Sequence, residues 1–388
     1  MKMKRKESIY ILGYMFYVLS ISLMLNVNIH LARVVKLVGL LLAAASIFQR
    51  PITDLLDVKK ILAMAIVFIS AILSRSILPI VIALFAVSYC CEDFLTLVRI
   101  DFFTRLFGFA LTLILFYLGF AKDVTLIRYR ETGEIIRHSF GYNHPNTCFA
   151  MLTIIAIDFL VLFSKKRIQK PYFFVVLIPA VLFFQVGTGS RSGVVALLFI
   201  CVMHFMEHPF RWLSKHKWIT YILVAMPLII CVASVLMTVL YDKIPFLRNV
   251  LNAISTNRLS SMYFFWNKYN ITLFGQVLQK IGTQQAMELN TSALVLDNMY
   301  LNLLLGYGVA FTVLFLTLYL KTGLVLAKKE EYALLSVFAG FAIYGFFEGT
   351  TLNFDYNYFL VLVGTTQEYR ISGLVIDFFS KRDPGNGQ

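Results

Sequence analysis

Residues 219–240, ITYILVAMPLIICVASVLMTVL, run for 22 positions without a charge. A helix of roughly 20 such residues crosses the hydrocarbon core of a bilayer. The apolar residues are continuous, not alternating, which excludes a strand of a membrane barrel. Working outward from this run, comparable stretches recur at 9–25, 34–48, 61–73, 77–90, 106–120, 148–164, 172–187, 194–206, 302–324, 333–347 and 356–366. The expectation is an all-α polytopic membrane protein of about 12 spans, forming one integral membrane domain over residues 1–388. Composition agrees, with 59% hydrophobic and only 14% charged residues and a mean hydropathy of +0.76. A soluble chain would carry far more polar surface.

Lysine and arginine set the expected orientation. With the N-terminus inside, 22 of the 35 basic residues fall on the cytoplasmic side. Five of the other 13 sit in one long loop, where the positive-inside rule is weak, so the comparison is 22 against 8. Both termini are then cytoplasmic and the locale is the cytoplasmic membrane. The net charge of +14 reads as a topology signal; no basic domain points to nucleic acid. The first apolar run lacks a small-residue cleavage site and reads as an uncleaved helix. Cys90, Cys91, Cys148, Cys201 and Cys231 fall in or at the ends of spans without CxxC spacing, so they read as packing residues and no metal is expected.

The polar residues concentrate on the outer side, in two loops. One covers 121–147; the other, 241–298, is the extracytoplasmic loop before the tenth helix. There Leu247, Val250, Leu251 and Ile254 keep helical spacing, and Ser255-Thr256-Asn257-Arg258 announces a second short helix. Three clusters open inward-running spans: Asn143-His144-Pro145-Asn146-Thr147, Thr188-Gly189-Ser190-Arg191-Ser192-Gly193 and Leu296-Asp297-Asn298-Met299-Tyr300. Helix N-termini favour anions. The dipole supplies only about 0.3–1 kcal/mol at an exposed site. Arginine forks at Arg191 and Arg258 must therefore supply most of the grip on a phosphate or pyrophosphate.

The run Gly187–Gly193, then Asn257-Arg258-Leu259 with Trp266, then Asp297-Asn298-Met299-Tyr300-Leu301 and Leu304-Leu305-Gly306-Tyr307-Gly308, resembles the ordered landmarks of the Wzy polysaccharide polymerase and O-antigen ligase superfamily. His144-Pro145-Asn146 resembles the capsular and exopolysaccharide polymerase branch. The resemblance implies a GT-C-like (class B) bundle with its active site facing outside. The implied activity is that of an inverting glycosyltransferase without a required metal or other cofactor. A growing glycan would leave undecaprenyl pyrophosphate and join a new lipid-linked oligosaccharide repeat unit. Membrane lipids, a chain-length regulator and a flippase are the implied further partners.

Within that resemblance Arg191 and Arg258 match the two essential arginines and would hold the pyrophosphate. Asp297 stands where ligases carry a histidine, which leaves the base open between Asp297 and His144. Asn146, Ser190, Asn298, Tyr300 and Arg137 are candidate substrate contacts. Plainer readings exist for each: Arg191 as an interfacial anchor, Arg258 as a helix-surface residue, Asp297 and His144 as helix caps. Arg137 falls in a charge run with Arg128, Arg130 and His138, and Glu348 reads as an interfacial residue. Asp158, inside a span, should face the bundle interior. The rivals are a ligase that moves glycan to another acceptor and a transporter or flippase for lipid-linked sugar. A transporter would favour internal repeats and midplane charges; here the polar signals lie at the outer boundary.

Overall fold

In lipid an apolar segment must satisfy its backbone by hydrogen bonds within itself. The computed structural model of the chain follows that rule almost throughout; it describes residues 5–22, 29–48, 58–91, 93–130, 133–165, 172–205, 217–255, 257–291, 293–362, 369–371 and 374–376. The helices are α1 (Arg5–Ser22), α2 (Ile29–Ile47), α3 (Val58–Ser74), α4 (Leu78–Ser88), α5 (Phe94–Tyr117), α6 (Pro145–Ser164), α7 (Tyr172–Thr188), α8 (Ser192–Phe205), α9 (Lys217–Val239), α10 (Arg258–Lys268), α11 (Thr283–Glu288), α12 (Met299–Lys328) and α13 (Tyr332–Phe347). Two small antiparallel hairpins are the only sheet among the described residues: β1 (Leu126–Arg130) with β2 (Gly133–Arg137), and β3 (Tyr369–Ile371) with β4 (Leu374–Ile376).

Among the described residues five helices are long and apolar enough to cross a membrane: α2, α5, α6, α9 and α12. Helices α4, α7 and α13, with most of α1 and α8, are apolar but shorter. This is an all-α membrane protein. Helix α6 is apolar on all sides and buried from Cys148 to Leu162, as a central helix must be. Helix α13 is buried in the same way. By contrast α7 turns Val175, Val176, Ile178, Leu182 and Val186 outward, and α2 does so with Val34, Leu37 and Leu41. Those outward apolar faces are where lipid tails would lie.

Two sequence expectations need correction. The span expected at 106–120 starts earlier: α5 begins at Phe94 under the cap of Asp93, so Arg99 and Arg105, counted among the cytoplasmic basic residues, lie within the helix. Arg105 is tolerated inside because its Nε meets Asp101 Oδ2 at 2.6 Å, one turn earlier. Tyr14 of α1 donates to the other oxygen of Asp101 at 2.6 Å. Asp158 faces this group from α6, so it does point into the bundle.

The second correction concerns the twelfth span. Residues 356–362 do not form an α-helix; Tyr358–Leu362 is a 3₁₀ segment, preceded by another at Gly349–Leu352. Positions 363–366 lie outside the described residues. Asn353, Asp355 and Asn357 explain the break. The carbonyl of Asn353 accepts from Tyr356 N at 2.9 Å, Asn357 Oδ1 accepts from Phe359 N at 3.2 Å, and Asp355 pairs with Lys36 at 3.7 Å. Irregular backbone at this depth is stable only when protein covers it, and Tyr358 through Leu362 are all buried.

Helix α12 carries one π-helical turn, Asn302–Tyr307, before Gly308. The irregular segment around Gly275 docks there. Gln276 N reaches Gly306 O at 3.0 Å, Val309 N reaches Thr272 O at 3.0 Å and Ala310 N reaches Leu273 O at 2.9 Å. The backbones touch because Gly275 and Gly308 face each other with no side chain between them.

Candidate functional site

Helices α6, α8 and α12 begin at the end of the bundle where α5, α7, α9 and α13 finish, so the loops between them meet. Each beginning has a local cause. Pro145 starts α6 at a position that needs no N–H, and His144 Nδ1 accepts from Asn146 N at 3.0 Å. For α12 the cap is Asn298, whose Oδ1 accepts from Leu301 N at 2.8 Å; Asp297 does not serve as the cap. Helix α10 begins at Arg258 behind left-handed Asn257. Its cap is supplied from outside by Asn252 Oδ1, which accepts from Ser260 N at 3.0 Å.

These loops converge on one carboxylate. Glu348, directly after α13 and 5% exposed, receives three donors on Oε1. They are Ser192 Oγ at 2.7 Å, Arg258 Nη2 at 2.9 Å and Asn146 Nδ2 at 3.3 Å. Asn146 Oδ1 in turn accepts from Arg137 Nη2. Arg137 is buried at the end of β2, and its Nε donates to Thr188 O at 2.6 Å. Gly189 makes room for it: φ is +58°, and an added Cβ would sit 3.3 Å from the arginine stem. The hairpin is moored by His138 N to Gly187 O at 2.8 Å. Asp123 fixes its far side, accepting from Ser139 N at 2.7 Å and Phe140 N at 3.1 Å as well as from the His138 ring. Burial works against the charge on Asp123, but those hydrogen bonds outweigh it and hold its pKa below the usual value.

A cavity of about 230 Å³ opens beside Glu348, lined by His144, Asn146, Thr147, Asp297, Thr350 and Tyr356 among others. That is below the ~300–1,000 Å³ of sites for drug-sized ligands, and suits one sugar ring or a phosphate group. Burial pushes the Glu348 carboxyl up to about 7; nearby Asp297 adds to the rise, while Arg258, the Ser192 hydroxyl and Arg137 oppose it. Burial also raises Asp297, against the opposing charges of Arg258 and Lys280. For His144, burial and then Arg137 hold the pKa down at about 4. Its neutral ring already uses Nδ1 as an acceptor, so the proton sits on Nε2. The His144 ring therefore presents Nε2–H as a donor.

The structure brings His144, Asn146, Arg137, Arg258 and Asp297 together. Arg191 stands one residue before Ser192 with an exposed side chain and does not line the cavity. Ser190 is buried behind it. Two expected substrate contacts need correction. Asn298 is fully buried, and its Nδ2 donates to Ser234 Oγ at 3.0 Å and Phe346 O at 3.1 Å. The Tyr300 hydroxyl donates to Ala342 O at 2.8 Å in the interior. Both fasten α12 to its neighbours. Replacing Asn298 with alanine removes a cap and two further bonds, at a cost of about 2–3 kcal/mol. Thermal unfolding in detergent should show a clear drop in Tm, and an unchanged Tm would refute the role.

Sequence reading took Glu348 for an interfacial residue and gave Ser192 and Lys280 no role of their own. Glu348 did carry a signal. A carboxylate at the C-terminal end of an apolar helix opposes the helix dipole, so something else must hold it there. The ends of α6, α8 and α10 do so. Lys280 donates to Asn302 Oδ1 at 2.8 Å, in the π-helical turn of α12. No protein-family model, curated protein or solved structure matches the chain.

Proposed function

We propose that the chain is a membrane-embedded polysaccharide polymerase of the Wzy type. It would transfer a growing glycan from undecaprenyl pyrophosphate to a lipid-linked oligosaccharide repeat unit, at the outer face of the cytoplasmic membrane. The observation that carries this reading is the ring of donors around Glu348: Ser192 at the start of α8, Arg258 and the Asn146–Arg137 pair. It stands at the gathered helix beginnings of an apolar bundle. This is an anion seat already holding a carboxylate, and a diphosphate presents the same oxygens with more charge.

Departure of a lipid diphosphate builds negative charge beside the membrane. Arg258 and Arg137, with Arg191 next to Ser192 in sequence, would meet it, the electrostatic contribution that commonly dominates such steps. The acceptor sugar would occupy the cavity under His144 and Asp297. The exposed apolar residues Ile244, Phe246, Val250 and Ile254 of the long loop would rest on the lipid where the carrier tails arrive.

The test is incubation of the purified protein with a synthetic undecaprenyl-pyrophosphate oligosaccharide, with products resolved by size. A ladder of added units is expected. A single addition to a foreign acceptor would move the reading to a ligase. Intact substrate carried across vesicles would move it to a transporter.

A further inference from the structure

We infer that Glu348 is the general base of the transfer, held by Arg258 at rest and released when the donor diphosphate takes over that guanidinium. The inference rests on the polymerase reading and chooses between the two carboxylates of the site. Three donors fix Glu348 through one oxygen. Among the described residues Oε2 makes no hydrogen bond, and Glu348 borders the cavity. A base must be oriented by its surroundings yet keep one oxygen for the substrate. Asp297 borders the same cavity, but no described residue hydrogen-bonds its carboxylate; only the charges of Arg258 and Lys280 act on it.

The exchange follows from charge. The Arg258 fork spans Ser255 O at 3.4 Å and Glu348 Oε1 at 2.9 Å. A diphosphate is a better partner for a guanidinium than one carboxylate. Loss of the arginine makes the glutamate more basic as the donor binds. In the step itself the acceptor O–H breaks and its proton passes to Glu348 Oε2. The freed oxygen pair forms the new bond to the donor anomeric carbon. The bond from that carbon to the diphosphate oxygen breaks, and its electron pair leaves with undecaprenyl pyrophosphate.

The groups facing Glu348 fix the expected pH behaviour. They are His144 and Asn146 at the start of α6, Ser192 of α8, Arg258 of α10, Arg137 of β2, Asp297 before α12, and Tyr344 and Tyr356 on either side in sequence. Only the carboxylate form accepts a proton. The rate at limiting substrate should therefore climb about tenfold per pH unit below about 7 and level off above it. Asp297→Asn removes a charge that raises Glu348, so that limb should move to lower pH.

The experiment compares wild type, Glu348→Gln, Glu348→Asp and Asp297→Asn on the synthetic oligosaccharide, alongside binding of undecaprenyl pyrophosphate alone. Glu348→Gln should lose about 100-fold or more in turnover while binding the lipid diphosphate at least as tightly as wild type, since the competing carboxylate is gone. Glu348→Asp should keep part of the rate. Wild-type ladders from Glu348→Gln, or an unshifted limb in Asp297→Asn, would overturn the assignment. So would joint loss of binding and turnover in Glu348→Gln, the mark of a structural role. A wild type that neither binds the lipid diphosphate nor extends the glycan would instead overturn the polymerase reading, and this inference with it.

Discussion

Arg258→Lys is expected to cut polymer formation by roughly 100- to 1,000-fold, the usual cost of removing one electrostatic donor from a reaction site, while the protein still inserts and folds. The arginine holds two groups at once, Ser255 O and Glu348 Oε1. An ammonium is a point charge without that fork and cannot bind a diphosphate bidentately. Folding should survive because lysine keeps a positive charge beside the buried Glu348 carboxylate. Chain lengths equal to wild type in this variant would remove Arg258 from the chemistry.

The largest effect on stability is expected at the seam between α12 and the segment before α11. Gly308 has φ +85° and ψ 170°, a backbone region open essentially to glycine alone. A Cβ there would lie 2.3 Å from Gly275 N, and one on Gly275 would lie 2.3 Å from Gly306 O. In both cases the obstacle is backbone, which cannot rotate away. Gly308→Ala and Gly275→Ala should each cost about 4–5 kcal/mol or more and lose the folded, monodisperse species in detergent. Gly282→Ala is the control, because nothing lies within 4 Å of its added Cβ. Equal yields and Tm for Gly308→Ala and the control would show that the seam yields.

What could be read in the sequence follows the range of the interactions. Local chemistry was legible: Pro145 after His144 marks the start of α6, and the uncharged run at 219–240 matches α9 to within two residues. The start of α5 was not, because Arg99 and Arg105 look like loop anchors until Asp101 and Tyr14 are seen to supply partners. The buried 3₁₀ segment Tyr358–Leu362 was misjudged because apolar composition alone does not separate a helix from irregular chain shielded by protein. At the candidate site, the three polar clusters lie in loops that meet near Glu348. They did not point to Glu348, whose partners come from helices remote in sequence, nor show that Asn298, not Asp297, caps α12.

That remoteness has a bearing on how the protein is made. Glu348 lies 202 residues after Asn146, 156 after Ser192 and 90 after Arg258. A ribosome that has threaded everything through α12 into the bilayer has delivered the donors but not the carboxylate they surround. On the polymerase proposal, the nascent chain gains its base only when α13 emerges, so a shorter copy would spend no carrier.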